Sequence, residues 1–139
     1  MVTARSVHVT EYNVSDGLPF VQVGAITQDA GGYLWVGGYG GLSKFNGFTF
    51  KNYSKADGLA GSLVQSLHTD DSGTVWVGTS KGLNKLFNDS LVTLHRFAGK
   101  SILAIESSNE EIAILTPDSL FIVNTKTVVP VPTTVRLSG

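Results

Sequence analysis

The chain has 139 residues, 42% hydrophobic and 15% charged, with ten basic and eleven acidic side chains and a formal net charge of −1. That length supports one domain with a core, and the evenly spread charge leaves no basic stripe for nucleic acid. Cysteine is absent, so disulfides, thiol nucleophiles and Cys-ligated zinc are excluded. No run reaches the ~18 apolar residues of a membrane helix, and no membrane contact by this segment is expected. The opening MVTARSVHVT lacks the apolar block of a signal peptide.

The elements read as short strands in chain order. Ser6 to Tyr12, SVHVTEY, is expected to be an extra outer strand that completes another blade. Residues 13–53 then form a first unit with strands near Val23–Gln28, Tyr33–Gly37, Gly41–Phe45 and Thr49–Tyr53. Turn residues separate them: Asp29-Ala30-Gly31-Gly32, Gly38-Tyr39-Gly40 and Asn46-Gly47. Asn-Gly between apolar strands predicts a type I′ hairpin, in which both central residues take positive φ.

The same punctuation returns 41 positions later, without a gap. Tyr12 falls on Tyr53, Asp16-Gly17-Leu18 on Asp57-Gly58-Leu59, and Asp29 on Asp70. Trp35-Val36-Gly37 falls on Trp76-Val77-Gly78, and Gly41-Leu42 on Gly82-Leu83. Residues 54–97 are thus a second unit, and residues 98–132 an eroded third. In the third, Ile112-Ala113-Ile114-Leu115 stands where Val75-Trp76-Val77-Gly78 stood, and the Asp-Gly-Leu turn and the tryptophan are gone. Four antiparallel strands repeated every 40–45 or so residues are the signature of a propeller blade. The fold class is therefore all-β, with about three four-stranded antiparallel blades.

The repeated residues have structural roles on this reading. Trp35 and Trp76 fill the wedge between neighbouring blades, and Gly37 and Gly78 let backbones approach closely. Asp29 and Asp70 cap their own turns, and Leu42 and Leu83 return to the core.

Chemistry-bearing motifs are sparse. Gly37–Gly41, GGYGG, is followed by neither a helix nor Lys-Ser/Thr, so it reads as a tight hairpin and not a phosphate loop. His8, His68 and His95 have no metal-ligand spacing. No serine sits in a Gly-x-Ser-x-Gly elbow. No catalytic residue, metal or cofactor is expected, and a lyase or glycosidase reading has the least support.

Tyr12–Pro19, Val23–Asp29, Gly32–Gly37 and Gly41–Gly47 together resemble the two-component regulator propeller repeat. The resemblance covers nearly all of the first unit, most of the second and the apolar outline of the third. It implies a seven-bladed propeller in the extracytoplasmic, periplasmic sensor region of a bacterial membrane receptor. Outputs in that family are histidine kinases, hybrid two-component proteins or diguanylate cyclases, and several members sense glycan fragments. No kinase or cyclase motif follows Val123.

Positions where the repeats disagree are the candidate binding residues. Phe20 and Gln22 in the first connection, Tyr39 in one turn and Lys81 in its counterpart all fall at blade ends. Tyr39 is suited to stack on a sugar ring and Lys81 to meet a carboxylate or sulfate. The leading expectation is a non-enzymatic sensor segment with an oligosaccharide ligand. The alternative is a structural or protein–protein interaction module that self-assembles. Three blades are fewer than a closed ring needs, so the expected partners are a second copy, closing a six-bladed ring, or missing blades of a larger receptor.

Overall fold

The computed structural model describes residues 6–19 and 22–125. Phe20 and the segment from residue 126 on, including Pro130 and Pro132, lie outside the described residues. Three antiparallel sheets follow one another along the chain, each with its strands in sequence order. The first holds β1 (Val23–Gln28), β2 (Leu34–Gly38), β3 (Gly41–Phe45) and β4 (Phe50–Tyr53). The second holds β5 (Val64–Thr69), β6 (Val75–Thr79), β7 (Gly82–Phe87) and β8 (Ser90–Leu94). The third has three strands among the described residues, β9 (Ala104–Ser108), β10 (Glu111–Leu115) and β11 (Leu120–Asn124).

The first two sheets repeat down to their irregularities. Each inner strand shifts register once against its neighbour, between Val23 and Ala25 in β1 and between Val64 and Ser66 in β5. A bulge adds one residue to one strand and increases local twist. The Asp-Gly-Leu punctuation proves to be a single 3-10 turn. Asp16 accepts from the Asn13 N–H, and Asp57 from the Ser54 N–H, both at 2.8 Å. Gly17 and Gly58 then take φ of 106° and 105°, a left-handed conformation that L side chains resist. Leu59 follows that turn into the core.

Ser6–Tyr12, expected to complete another blade, pairs with none of the three sheets. Tyr12 instead lays its ring against Phe45 and Phe50, with centroids 4.7 and 6.1 Å away. Asn46-Gly47 is not a two-residue type I′ hairpin. The Asn46 side-chain Oδ1 accepts from the N–H groups of Phe48 and Thr49 at 2.9 and 2.8 Å, stapling a four-residue turn in which Gly47 alone has positive φ. The two-residue hairpin with positive φ at both positions is Asn88-Asp89, between β7 and β8.

The core lies between sheets. Trp35, Leu42 and Tyr53 of the first sheet meet Leu59, Val64, Val75 and Val77 of the second unit. Trp76, Leu83 and Phe97 of the second unit meet Ile102, Ile105, Ile112 and Ile114 of the third. β1 runs beside β5, and β5 beside β9, so the inner strands converge. The glycines after each tryptophan set the spacing. A Cβ on Gly37 would fall 2.2 Å from Val64 Cγ1, and one on Gly78 would fall 2.7 Å from Ile102 Cγ2.

Replacing either wedge tryptophan leaves a large void between two sheets. Trp35→Ala and Trp76→Ala are each expected to cost about 3–5 kcal/mol in urea denaturation. Unchanged midpoints in both variants would show that the indoles are not wedges.

Candidate functional site

The antiparallel order gives each unit two ends. The β1–β2 and β3–β4 connections share one end with their counterparts in the second sheet. The β2–β3 turns and the chain segments between sheets share the other.

At the first end each tryptophan is tied to its own hairpin. Asp29 Oδ1 accepts from the N–H groups of Gly31 and Tyr33 at 2.9 and 3.0 Å, and its Oδ2 accepts from Trp35 Nε1 at 2.8 Å. Asp70 repeats this with Ser72 and Thr74 at 3.0 and 2.9 Å and with Trp76 Nε1 at 2.9 Å. Both aspartates cap their turns as expected, and each also accepts an indole N–H that capping alone does not call for. The signal of that bond in the sequence is an Asp six residues before each Trp. The third unit lacks both partners. Its β9–β10 connection is only Asn109-Glu110, where the earlier sheets have five residues, and Ala113 takes the tryptophan's place.

A cation crosses from one unit to the next at this end. Lys44 stands opposite Trp35 in the β2–β3 ladder. Its Nζ lies 4.2 Å from the Tyr33 ring centroid and 5.4 Å from the Trp35 ring, within cation–π range. It donates to Asp89 Oδ2 at 2.6 Å, joining the first sheet to the β7–β8 hairpin. Partial burial works against the Lys44 charge, but the hydrogen bond and charge of Asp89, helped by Asp29, raise its pKa above the ordinary value. A groove of about 220 Å³ opens between the two units, lined among others by Asp29, Gly31, Gly73, Val75 and Asp89. Its carboxylates are already engaged by Trp35 and Lys44.

The candidate binding residues lie at the opposite end. Tyr39 is exposed, and its N–H donates to the Gln22 carbonyl at 3.2 Å. The adjacent Gly40 N–H donates to Ser62 O at 2.9 Å, and Tyr39 bridges to Leu63, so this turn is fastened to the connection that leads into the second sheet. Lys81, also exposed, occupies the equivalent turn of the second sheet, where its carbonyl accepts from the Gly99 N–H at 2.9 Å. The structure thus brings Gln22 and Tyr39 together through their backbones and puts Lys81 at the same end. Among the described residues, no group of three or more His, Cys, Asp or Glu side chains is placed to hold a metal.

The two-component regulator propeller family matches residues 17–40 and 58–81. Those two stretches are where the chain is similar to the two-component regulator propeller repeat. The matched stretches run from the Asp-Gly-Leu turn through the aspartate, the tryptophan and the close-approach glycine to the exposed turn. Two similar solved structures are extracellular domains of hybrid two-component systems from B. thetaiotaomicron. One has 27% identity and a TM-score of 0.68, covering 83% of this chain and 16% of its own. The other has 25% identity and a TM-score of 0.71, covering 90% of this chain and 18% of its own. The chain therefore spans under a fifth of the length of either structure. No curated protein matches it. The neighbours and the repeat match agree on the propeller architecture of these sheets.

The repeat chemistry predicts an acid response. Partial burial of Asp70 favours its neutral form. The bonds from Trp76, from the Ser72 hydroxyl and from two backbone N–H groups outweigh that and lower its pKa below the usual carboxylate value. A depressed folded pKa contributes stability that is present above the unfolded value, about 3.9, and is lost as pH falls through the folded one. Urea midpoints are therefore expected to hold from neutral pH to about 4 and then drop. Asp70→Asn cannot titrate and sets an amide against the indole N–H or the turn. It is expected to cost about 1–3 kcal/mol at pH 7, with the gap from wild type narrowing at pH 3. A gap of constant size would reject the linkage.

Proposed function

We propose that these repeats are a ligand-recognition part of the extracytoplasmic sensor region of a two-component-type receptor. The observation that carries this reading is the likeness, over most of the chain, to extracellular domains of hybrid two-component systems. No helix among the described residues is long and apolar enough to cross a membrane. The sensor role on this reading is binding without turnover, and any output lies in other domains.

The recognition surface is the end bearing Gln22, Tyr39 and Lys81. An exposed phenol ring and a lysine at one end of neighbouring sheets suit an oligosaccharide with a carboxylate or sulfate, the ring stacking on the sugar and the ammonium pairing with the anion. The Tyr39 turn is bonded to the segment that enters the second sheet. A ligand held there bears on the relation between neighbouring sheets, and a shift in that relation is what a receptor would pass on. A second reading, a protein–protein interaction module, is favoured by the exposed apolar residues Val23 and Ile26 on the first sheet.

Calorimetric titration against a panel of neutral, uronate-bearing and sulfated oligosaccharides tests the sensor reading. Binding to an anionic member is expected. Tyr39→Ala and Lys81→Ala should each weaken it about tenfold or more, equivalent to 1.4 kcal/mol. No reducing ends should be released from the bound sugar. A panel without a binder, or binding that both variants leave intact, removes this surface from the proposal.

A further inference from the structure

The connection between the second and third sheets is where the repeat changes the sign of its charge. The first two 3-10 turns each carry an aspartate, Asp16 in one and Asp57, with Lys55, in the other. The third turn, His95–Phe97, has no acidic residue, and residues 95–100 read HRFAGK. Arg96 and Lys100 thus replace a capping carboxylate with two cations. The segment belongs to the same end as Tyr39 and Lys81. The Gly99 N–H donates to the Lys81 carbonyl and the Ile102 N–H to the Thr79 carbonyl, both at 2.9 Å, so the basic stretch is fastened to the Lys81 turn.

Both cations are drawn to one aromatic ring. Arg96 Cζ lies 5.5 Å and Lys100 Nζ 5.7 Å from the Phe121 ring centroid, within cation–π range. Buried Phe97 meets that ring edge-on at 5.1 Å and holds it in place. Among the described residues neither cation is in an ion pair. Asp118, in the β10–β11 connection at this end, accepts from the Thr116 hydroxyl at 3.2 Å. Two positive charges within reach of one ring repel each other, and the ring offsets that repulsion without neutralising it. An anion between them neutralises it. The guanidinium adds a planar fork of N–H donors that matches the paired oxygens of a carboxylate or sulfate.

We infer that Arg96 and Lys100, set on Phe121, form a second anion subsite beside Lys81, so that the oligosaccharide taken at this end carries more than one anionic group. This rests on the reading of that end as the recognition surface. A sugar suits the site better than nucleic acid or an anionic membrane. The chain has a net charge of −1 and no basic stripe, and the paired cations are confined to a junction that shares its end with the exposed Tyr39.

The test is calorimetric titration of the full chain with a neutral glucan oligosaccharide and its singly and multiply sulfated forms, all of one length. The multiply sulfated form is expected to bind about tenfold or more tighter than the singly sulfated one. Arg96→Gln and Lys100→Gln should each remove most of that difference and leave the singly sulfated form within about twofold. Lys55→Gln removes the same charge from the preceding connection and should change neither affinity. An equal loss in Lys55→Gln would mean that affinity follows net charge alone, and would overturn the subsite. If Tyr39→Ala and Lys81→Ala weaken binding while Arg96→Gln and Lys100→Gln do not, the subsite falls and the recognition reading stands. If only Arg96→Gln and Lys100→Gln act, the subsite stands without the surface proposed above. A duplex oligonucleotide or a phosphatidylserine vesicle that binds more tightly than the multiply sulfated sugar overturns the sugar as occupant, and a panel without any binder overturns both readings.

Discussion

A buried indole must place its N–H, and here everything else follows from where that N–H goes. Trp35 and Trp76 are almost wholly enclosed between sheets, and an unpaired donor in such a place costs about 1–3 kcal/mol. A carboxylate six residues upstream accepts it, and the same carboxylate closes the hairpin that brings the two together. One oxygen organises the turn and the other the wedge. Local structure and inter-sheet packing are therefore set by one side chain per unit, which is why the turn and the tryptophan repeat at a fixed separation.

The glycine two residues beyond the tryptophan is the complementary constraint. The wedge holds sheets apart at one level, and the glycine lets them close at the next. Val64 and Ile102 occupy the space that a side chain at Gly37 or Gly78 would take. A bulky tryptophan and an absent side chain on one strand tilt each sheet against its neighbour, and the inner strands converge. Lys44, paired with Asp89 across the boundary, adds a polar clasp at the rim. Exposed ion pairs of this sort add about 0–1 kcal/mol, so the apolar wedge carries the assembly.

Most of the architecture was legible because the chain states it twice. Strand order, the two full units and the wedge and glycine positions follow from an ungapped register that includes Trp35, Trp76, Gly37 and Gly78. What was not legible depended on partners that the sequence does not pair. Asn46-Gly47 has hairpin composition, but the Asn46 side-chain Oδ1 had two local donors within reach and used them. The indole–carboxylate bond was hidden because capping alone already accounted for Asp29 and Asp70. For the candidate site, divergence between repeats put Gln22, Tyr39 and Lys81 at a common end. No periodicity in the sequence reveals which of them converge on a ligand.

The third unit shows how such a repeat can be retired. Changing the tryptophan alone would open a void and idle the aspartate. Changing the aspartate alone would strand a buried indole. A hairpin shortened from five residues to two removes the acceptor's loop in one step, and the third unit has neither residue. A shortened loop strands the indole as surely as a substituted aspartate would, so loop and tryptophan must be given up together. A short hairpin in this position therefore goes with a strand that has no indole to satisfy, even where its hydrophobicity imitates that of the full units.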